Sequence, residues 1–371
     1  MSALEILQKL ITYPTITPKE CGIYDYICSL LPSFEVMRFD RGETKNLFLL
    51  SKSSNPNARH LCFAGHIDVV PAGEGWESDP FVPLLKEGYL YGRGAQDMKG
   101  GVSAFLSALR EVAPQELTLS VLLTSDEEGE GKDGSRYVLE ELERANLLPQ
   151  FAIVAEPTSE ERIADMIKIG RRGSINGVLK IFGEQGHVAY PSKCKNPVEI
   201  LGAKLGEIAG VELDSGDEFF EPSKIVIADI RGGMEVCNVT PSELKMMFNV
   251  RNSTLTNAKD VEKYLESVLS QIPHSLELNV SSLPFMTSSS SSLVQTLISS
   301  VQEIKGYTPA LGSTGGTSDA RFFSQYGIEV AELGVLNDRI HAKNENVSVE
   351  DLQDLAKIFK NFILSFAKER K

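Results

Sequence analysis

Seven residues carry the chemical content of this sequence, and they lie in five short segments. His66 and Asp68 stand in GHIDVVP at 65–71, Asp97 in YGRGAQDMKGG at 91–101, and Glu127 and Glu128 in TSDEEG at 124–129. Glu156 stands in IVAEP at 153–157 and His341 in RIHAKNENV at 339–347. Two imidazoles and several carboxylates form the nitrogen and oxygen donor set that suits zinc. One such segment would be weak, because a lone histidine is more often a core or surface residue and a lone acid a solvated one. Five of them, in this order, point to a hydrolase that works with two metal ions.

Each pattern has its own chemical reason and its own plainer use. His66 and Asp68 are two apart in a segment leaving a strand, so their side chains face the same way. The Asp68 carboxylate is then expected to accept a hydrogen bond from one imidazole nitrogen while the other faces a metal. Asp97 opens a helical run, where free N–H groups and the helix dipole favour an anion; simple N-capping is the competing use. Adjacent Glu127 and Glu128 invite a division between a ligand and a proton carrier. Their spacing does not say which is which, and nearby Glu130 and Asp133 also fit a solvated acidic turn. Glu156 ends a strand before Pro157, where a buried acid is costly unless paired or metal-bound. GRGAQDMKGG and GEGKDG (129–134) lack the GK[ST] ending of a phosphate loop.

The elements that must position these residues follow from hydrophobic periodicity. Apolar runs at 46–50, 60–65, 117–124 and 151–155 read as strands. Helical patterns fall at 4–12, 20–31 and 98–112, the last with one apolar face. Near-continuous apolar strands alternating with helices imply an α/β layer with a mostly parallel central sheet. Ligands of such sheets gather beyond the carboxyl ends of the strands, where His66, Glu127, Glu128 and Glu156 fall. After residue 171 the runs at 174–182, 224–230, 243–250 and 276–280 alternate, with helices at 196–209 and 257–271. That pattern fits an antiparallel sheet with one covered face. A chain of 371 residues exceeds what one core usually holds. The expected domains are 1–172 with 285–371 as the catalytic α/β domain, and 173–284 as an inserted α+β domain. The serine run at 288–292 reads as a connector, and helix and strand patterns return at 293–305, 318–326, 328–333 and 348–367.

Composition narrows the partners. A formal net charge of −14 argues against nucleic acid and anionic membranes, which need a basic face. An anionic small molecule would need a local cluster of arginines. No run approaches the roughly 18–20 apolar residues of a membrane span, and the N-terminus lacks the features of a signal peptide. Cys21, Cys28, Cys62, Cys194 and Cys237 are odd in number, with no CxxC pair. They fit reduced thiols of a cytoplasmic protein.

The five segments resemble those of the M20 family of co-catalytic zinc amidohydrolases and peptidases, and the similarity runs along nearly the whole chain. IGRRGS (169–174), QGHVAYP (185–191), NVTP (238–241) and STGGTSDARF (313–322) favour a member that acts on an N-succinyl amino acid. The resemblance implies two zinc ions per subunit, with cobalt able to substitute. His66 and Glu156 would hold one and Glu128 and His341 the other. Asp97 would bridge them through a cis peptide to Met98, Asp68 would orient His66, and Glu127 would be general base and acid. It implies a homodimer through the inserted domain, in which His187 of the partner subunit stabilises the oxyanion. For the free carboxylate of a succinyl group, Arg172 and Arg251 supply charge and Asn238 an amide. Gly316 and Thr317, ahead of the 318–326 helix, supply main-chain N–H donors, while Arg171 suits a surface salt bridge equally well. The chain departs from the family pattern at Gln96, where a small residue is more usual, and at Asn337-Asp338-Arg339, which is more charged. The rivals are another amidohydrolase of the family, such as an acetylornithine deacetylase or an aminoacylase, and a non-catalytic metal-binding protein of the same fold. A retained Glu127 counts against the second.

Overall fold

The structure, a computed structural model, describes residues 1–112 and 116–368; residues 113–115 and 369–371, inside the expected first domain, lie outside the described residues. The chain forms two compact units. The first comprises Met1–Ile169, Thr287–Gly312 and Ser318–Lys371. The second is Gly170–Met286 with Ser313–Thr317, where the sequence reading has 173–284 and assigns 313–317 to the first domain.

The first unit is built on an eight-stranded sheet. Its order is Glu35–Arg38, Asn46–Ser51, Leu117–Thr124, Arg59–His66, Phe151–Val154, Glu329–Glu332, Met166–Lys168 and Ala310–Gly312. The four central strands run parallel, as expected of apolar runs buried on both faces. Antiparallel pairs flank them on both sides. Three strands of this sheet have no counterpart in the sequence reading: 35–38, 166–168 and 310–312. They are three or four residues long and lie at or near the sheet margins, where little apolar pattern is demanded.

The helix expected at 98–112 runs from Lys99 to Glu111 and differs from the reading in being buried all round from Lys99 to Leu109. It packs against helices Ala3–Ile11 and Val349–Lys368 and against the 59–66 strand. Phe63 of that strand lies 5.5 Å from the Phe105 ring and 5.4 Å from that of Phe359. Small residues on the helix allow this closeness. A Cβ added at Gly101 would stand 2.1 Å from the carbonyl oxygen of Ala155, so this glycine sets how near the helix comes to the strand end that carries Glu156.

The second unit holds a four-stranded antiparallel sheet in the order Lys224–Gly232, Glu243–Arg251, Ser174–Phe182 and His274–Ser282. Ile175, Leu179 and Ile181 of one strand and Leu244, Met246, Phe248 and Val250 of the next face Leu201, Val261 and Leu265. The covering helices are Ala258–Val268 and Pro197–Gly202. The helix read at 196–209 is thus cut short, with only a single 3₁₀ turn at Leu205–Glu207 beyond. Gly202 and Gly206 supply the local helix weakness. Among the described residues no helix is long and apolar enough to cross a membrane.

Candidate metal centre

His66, Thr124 and Val154 end three neighbouring parallel strands. His66 lies in register with Thr124, and Ala64 with Val154. The residues that follow them therefore leave the sheet along one edge. This brings Glu127, Glu128 and Glu156 to His66. Asp97 arrives from the turn before the 99–111 helix through a cis peptide to Met98. His341 arrives from the loop that follows the 329–332 strand.

Asp97 is the hub. Its Oδ1 lies 3.1 Å from His66 Nε2 and its Oδ2 lies 3.4 Å from His341 Nε2. On the His66 side Glu156 Oε1 stands at 3.9 Å and Glu127 Oε2 at 4.0 Å from Nε2. On the other side Glu128 Oε1 is 2.8 Å from His341 Nε2. One carboxylate is thus shared between two nitrogens, with two further acids near that of His66 and one near that of His341. Donor atoms of His66, Asp97 and Glu128 lie within 4.8 Å of one another. Asp97 does not cap the helix: Met98 holds that position without a side-chain capping bond.

Asp68 works differently from the sequence expectation. His66 Nδ1 donates to the main-chain carbonyl of Asp68 at 2.9 Å, and the Asp68 carboxylate stands off at 3.6 Å. A carbonyl only accepts, so this bond fixes the proton on Nδ1 and aims Nε2 at Asp97. The Asp68 carboxylate instead accepts the main-chain N–H of Glu127 at 3.4 Å and of Glu128 at 3.1 Å. It therefore shapes the turn that presents both acids.

Electrostatics show what this crowding costs. Burial pushes the Glu127 carboxyl up to about 8 against the pull of His66, and the negative charges of Asp319, Asp97 and Glu128 add to it. Glu156 is raised well above the usual range, first by burial and then by Asp97. Burial lifts Asp68 to about 6. His341 is raised to about 10 by its bonds to Asp97 and Glu128. Burial would lower His66, yet Asp97 and the charges around it raise it overall. Asp97 itself is lowered, because the two imidazoles outweigh its burial. Buried acids that resist ionising around a shared carboxylate are relieved by positive charge, and nitrogen and oxygen lone pairs converging at these distances fit divalent cations.

Two residues not singled out from the sequence hold the hub in place. Glu345 is buried and accepts the main-chain N–H groups of Gly94 at 3.0 Å, Gln96 at 2.7 Å and Asp97 at 3.1 Å. Buried Arg93 pairs with it at 2.7 Å. Both stand inside the quoted segments, yet bonds from a side chain to main-chain N–H groups leave no residue pattern to find.

The remaining candidates belong to the second unit. His187 and Asn238 meet on a short ribbon of Gly186–His187 with Val239–Thr240, where Val188 donates to the Asn238 carbonyl at 3.2 Å. His187 is exposed, and its Nδ1 accepts the Ala189 N–H at 3.1 Å, which leaves Nε2 as the N–H donor. Arg251 ends the 243–251 strand, exposed, with no side-chain partner among the described residues. Arg172 pairs with Glu221 at 3.2 Å. Arg171 is buried and donates to the carbonyls of Thr314 at 3.0 Å and Gly316 at 3.2 Å. It secures a turn rather than lying on the surface. The helix expected at 318–326 is only Ala320–Ser324, so Gly316 and Thr317 lack the long helix start that the anion-donor reading assumes.

A shared carboxylate between two histidines at the edge of a mostly parallel sheet, in a chain that also forms a separate antiparallel unit, defines a class. Residues 62–365 match Peptidase family M20/M25/M40, and the chain belongs to that family. Within it, the chain is 58% identical over 357 residues to the succinyl-diaminopimelate desuccinylase of Wolinella succinogenes, covering 96% of this chain and 98% of that protein. Among solved structures it resembles aminopeptidase PepT from Bacillus cereus, with a TM-score of 0.80 at 21% identity, covering 99% of this chain and 98% of that one. The YXEP protein of Bacillus subtilis, described as a dinuclear metal binding peptidase of the M20 family, gives 0.70 at 12% identity over 98% of this chain and 97% of that one. At those identities the likeness to solved structures is one of fold.

Proposed function

We propose that this protein hydrolyses the amide bond of N-succinyl-LL-2,6-diaminopimelate to succinate and LL-2,6-diaminopimelate, in lysine biosynthesis through diaminopimelate. The Asp97 carboxylate set between His66 and His341 carries the hydrolytic part of this reading. The substrate is supported by near-full-length similarity to a protein named for that reaction.

His66, Asp97, Glu128, Glu156 and His341 would hold two zinc ions, or cobalt in their place. Such ions supply a water whose pKa falls from about 15.7 toward roughly 7 and polarise the amide carbonyl. The chain's own residues do the rest. Glu127 takes the water's proton and hands it to the leaving amine nitrogen, a base-then-acid role open to a carboxylate whose charge the neighbouring cations stabilise. Asp68 holds the Glu127–Glu128 turn and, through its carbonyl, the His66 tautomer. In a homodimer formed through the second unit, the Nε2–H of His187 of the partner subunit donates to the developing oxyanion. Arg251, with Arg172 and Asn238, takes the free carboxylates of the substrate. Gly316 and Thr317 add main-chain N–H donors from the turn that Arg171 holds, without a long helix behind them. The unpaired cysteines among the described residues suit a cytoplasmic location.

The rival is a deacylase of acetylated amino acids, whose acyl group needs no cationic partner. The test compares kcat/KM on N-succinyl-diaminopimelate and N-acetylornithine at defined zinc loading. A preference of about 10²-fold or more for the succinyl compound is expected. Equal or reversed preference sinks the substrate, and no turnover of either sinks the hydrolase.

A further inference from the structure

We propose that Gln96 is a positioning residue for one half of the metal centre: its side-chain amide fixes the loop carrying His341 against the turn carrying Asp97. The inference rests on the two-metal reading above. His341 enters the centre from a loosely supported place. Its side chain is 47% exposed. Its φ is +59°, and that of Asn344 is +56°, a left-handed backbone that residues other than glycine rarely hold without outside restraint.

The restraint comes from the 93–97 turn. Gln96 is 3% exposed. Its Nε2 donates to Asp338 Oδ1 at 2.8 Å, and its Oε1 accepts the main-chain N–H of Arg339 at 2.8 Å. Arg93, from the same turn, donates to the carbonyls of His341 and Ala342, each at 3.3 Å. The loop is thus gripped before His341 by Gln96 and after it by Arg93, and the gripping turn ends in Asp97. A two-point amide clip fixes distance and orientation together, which a small residue at 96 could not do. Gln96 acts through His341 and touches no reacting atom.

The polarity of the clip supplies the test. Gln96→Ala removes both bonds. Gln96→Glu sets an acceptor against Asp338, and adding Asp338→Asn returns a donor from the opposite side at unchanged net charge. Zinc-depleted protein would be titrated with zinc against a competing chelator, and the melting of the depleted forms recorded in parallel. The unchanged protein is expected to take up two ions in two steps. In Gln96→Ala and Gln96→Glu one step weakens by about 10–100-fold, the range seen when groups that orient a ligand are altered, while the other stays within about 3-fold. The Gln96→Glu/Asp338→Asn double variant regains the lost step. Unmoved constants, equal weakening of both steps, or no recovery in the double variant would overturn the proposal. If the unchanged protein takes up fewer than two ions, the two-metal reading falls and this proposal with it; if it takes up two and the variants match it, only this proposal falls.

Discussion

The carboxylate of Asp68 accepts the main-chain N–H of Glu128 at 3.1 Å, while the carbonyl of Asp68 holds the Nδ1–H of His66 at 2.9 Å. One residue therefore couples the orientation of the first histidine to the turn that presents the two adjacent acids. Its two polar groups serve different partners, and this is why a single aspartate two residues after the histidine can organise both.

Glu127, presented by that turn, is the proposed proton carrier. Glu127→Gln is expected to retain zinc, measured as metal content after gel filtration, and to lose activity by about 10²–10⁴-fold, since an amide cannot accept the water's proton. Near-normal turnover in the zinc-replete variant would remove Glu127 from the role.

Zinc uptake should release protons. The His341 pKa is raised to about 10 by Asp97 and Glu128, and that of His66 is raised as well. At pH 7 the His341 imidazole is then protonated in the metal-free protein and His66 is biased the same way, whereas zinc takes a neutral imidazole. The sign follows: affinity rises with pH through neutrality and levels off only as pH passes about 10. Calorimetric titration at pH 7 in two buffers of different ionisation enthalpy should show net proton release. A heat independent of buffer would contradict it.

Arg171 and Arg251 should separate cleanly. Arg251→Met removes an unpartnered cation and is expected to lower kcat/KM on the succinyl substrate by about 10–100-fold, with an unchanged melting temperature, because a hydrogen bond to a charged group contributes about 1.5–3 kcal/mol. Arg171→Met strips the bonds to the Thr314 and Gly316 carbonyls and should lower the melting temperature. An Arg251 variant with unaltered kinetics would take that residue out of substrate binding.

Mixed dimers test the role of His187. Glu127→Gln and His187→Ala subunits are each expected to be inactive. After subunit exchange, the His187→Ala subunit keeps Glu127 and, in the proposed dimer, would receive an intact histidine from its neighbour, so activity should return in heterodimers. Verified exchange without recovery would mean that His187 acts within its own chain or not at all.

The sequence made the centre of the first sheet legible because 46–51, 59–66, 117–124 and 151–154 are apolar runs that no exposed element would carry. The acids that follow those runs were legible for the same reason: a strand end fixes where they emerge. The strands 35–38, 166–168 and 310–312 were not, because so few residues show no usable period. The role of Asp68 was half legible. Its spacing from His66 was right, but whether the carbonyl or the carboxylate meets the imidazole depends on backbone path. Glu345 was out of reach, since its partners are three N–H groups that any sequence would offer.

Arg93 and Glu345 lie 252 residues apart in the chain, and Glu128 and His341 lie 213 apart. At a synthesis rate of about 5–20 residues per second, the ribosome needs roughly 10–50 s to pass from one member of the first pair to the other. By the later part of that interval the nascent chain contains His66, Asp97, Glu127, Glu128 and Glu156 with neither the second imidazole nor the buried acid that steadies the turn. A chain that ends before residue 338 therefore lacks both the second imidazole and the buried acid that steadies the turn, and with them the proposed two-metal centre.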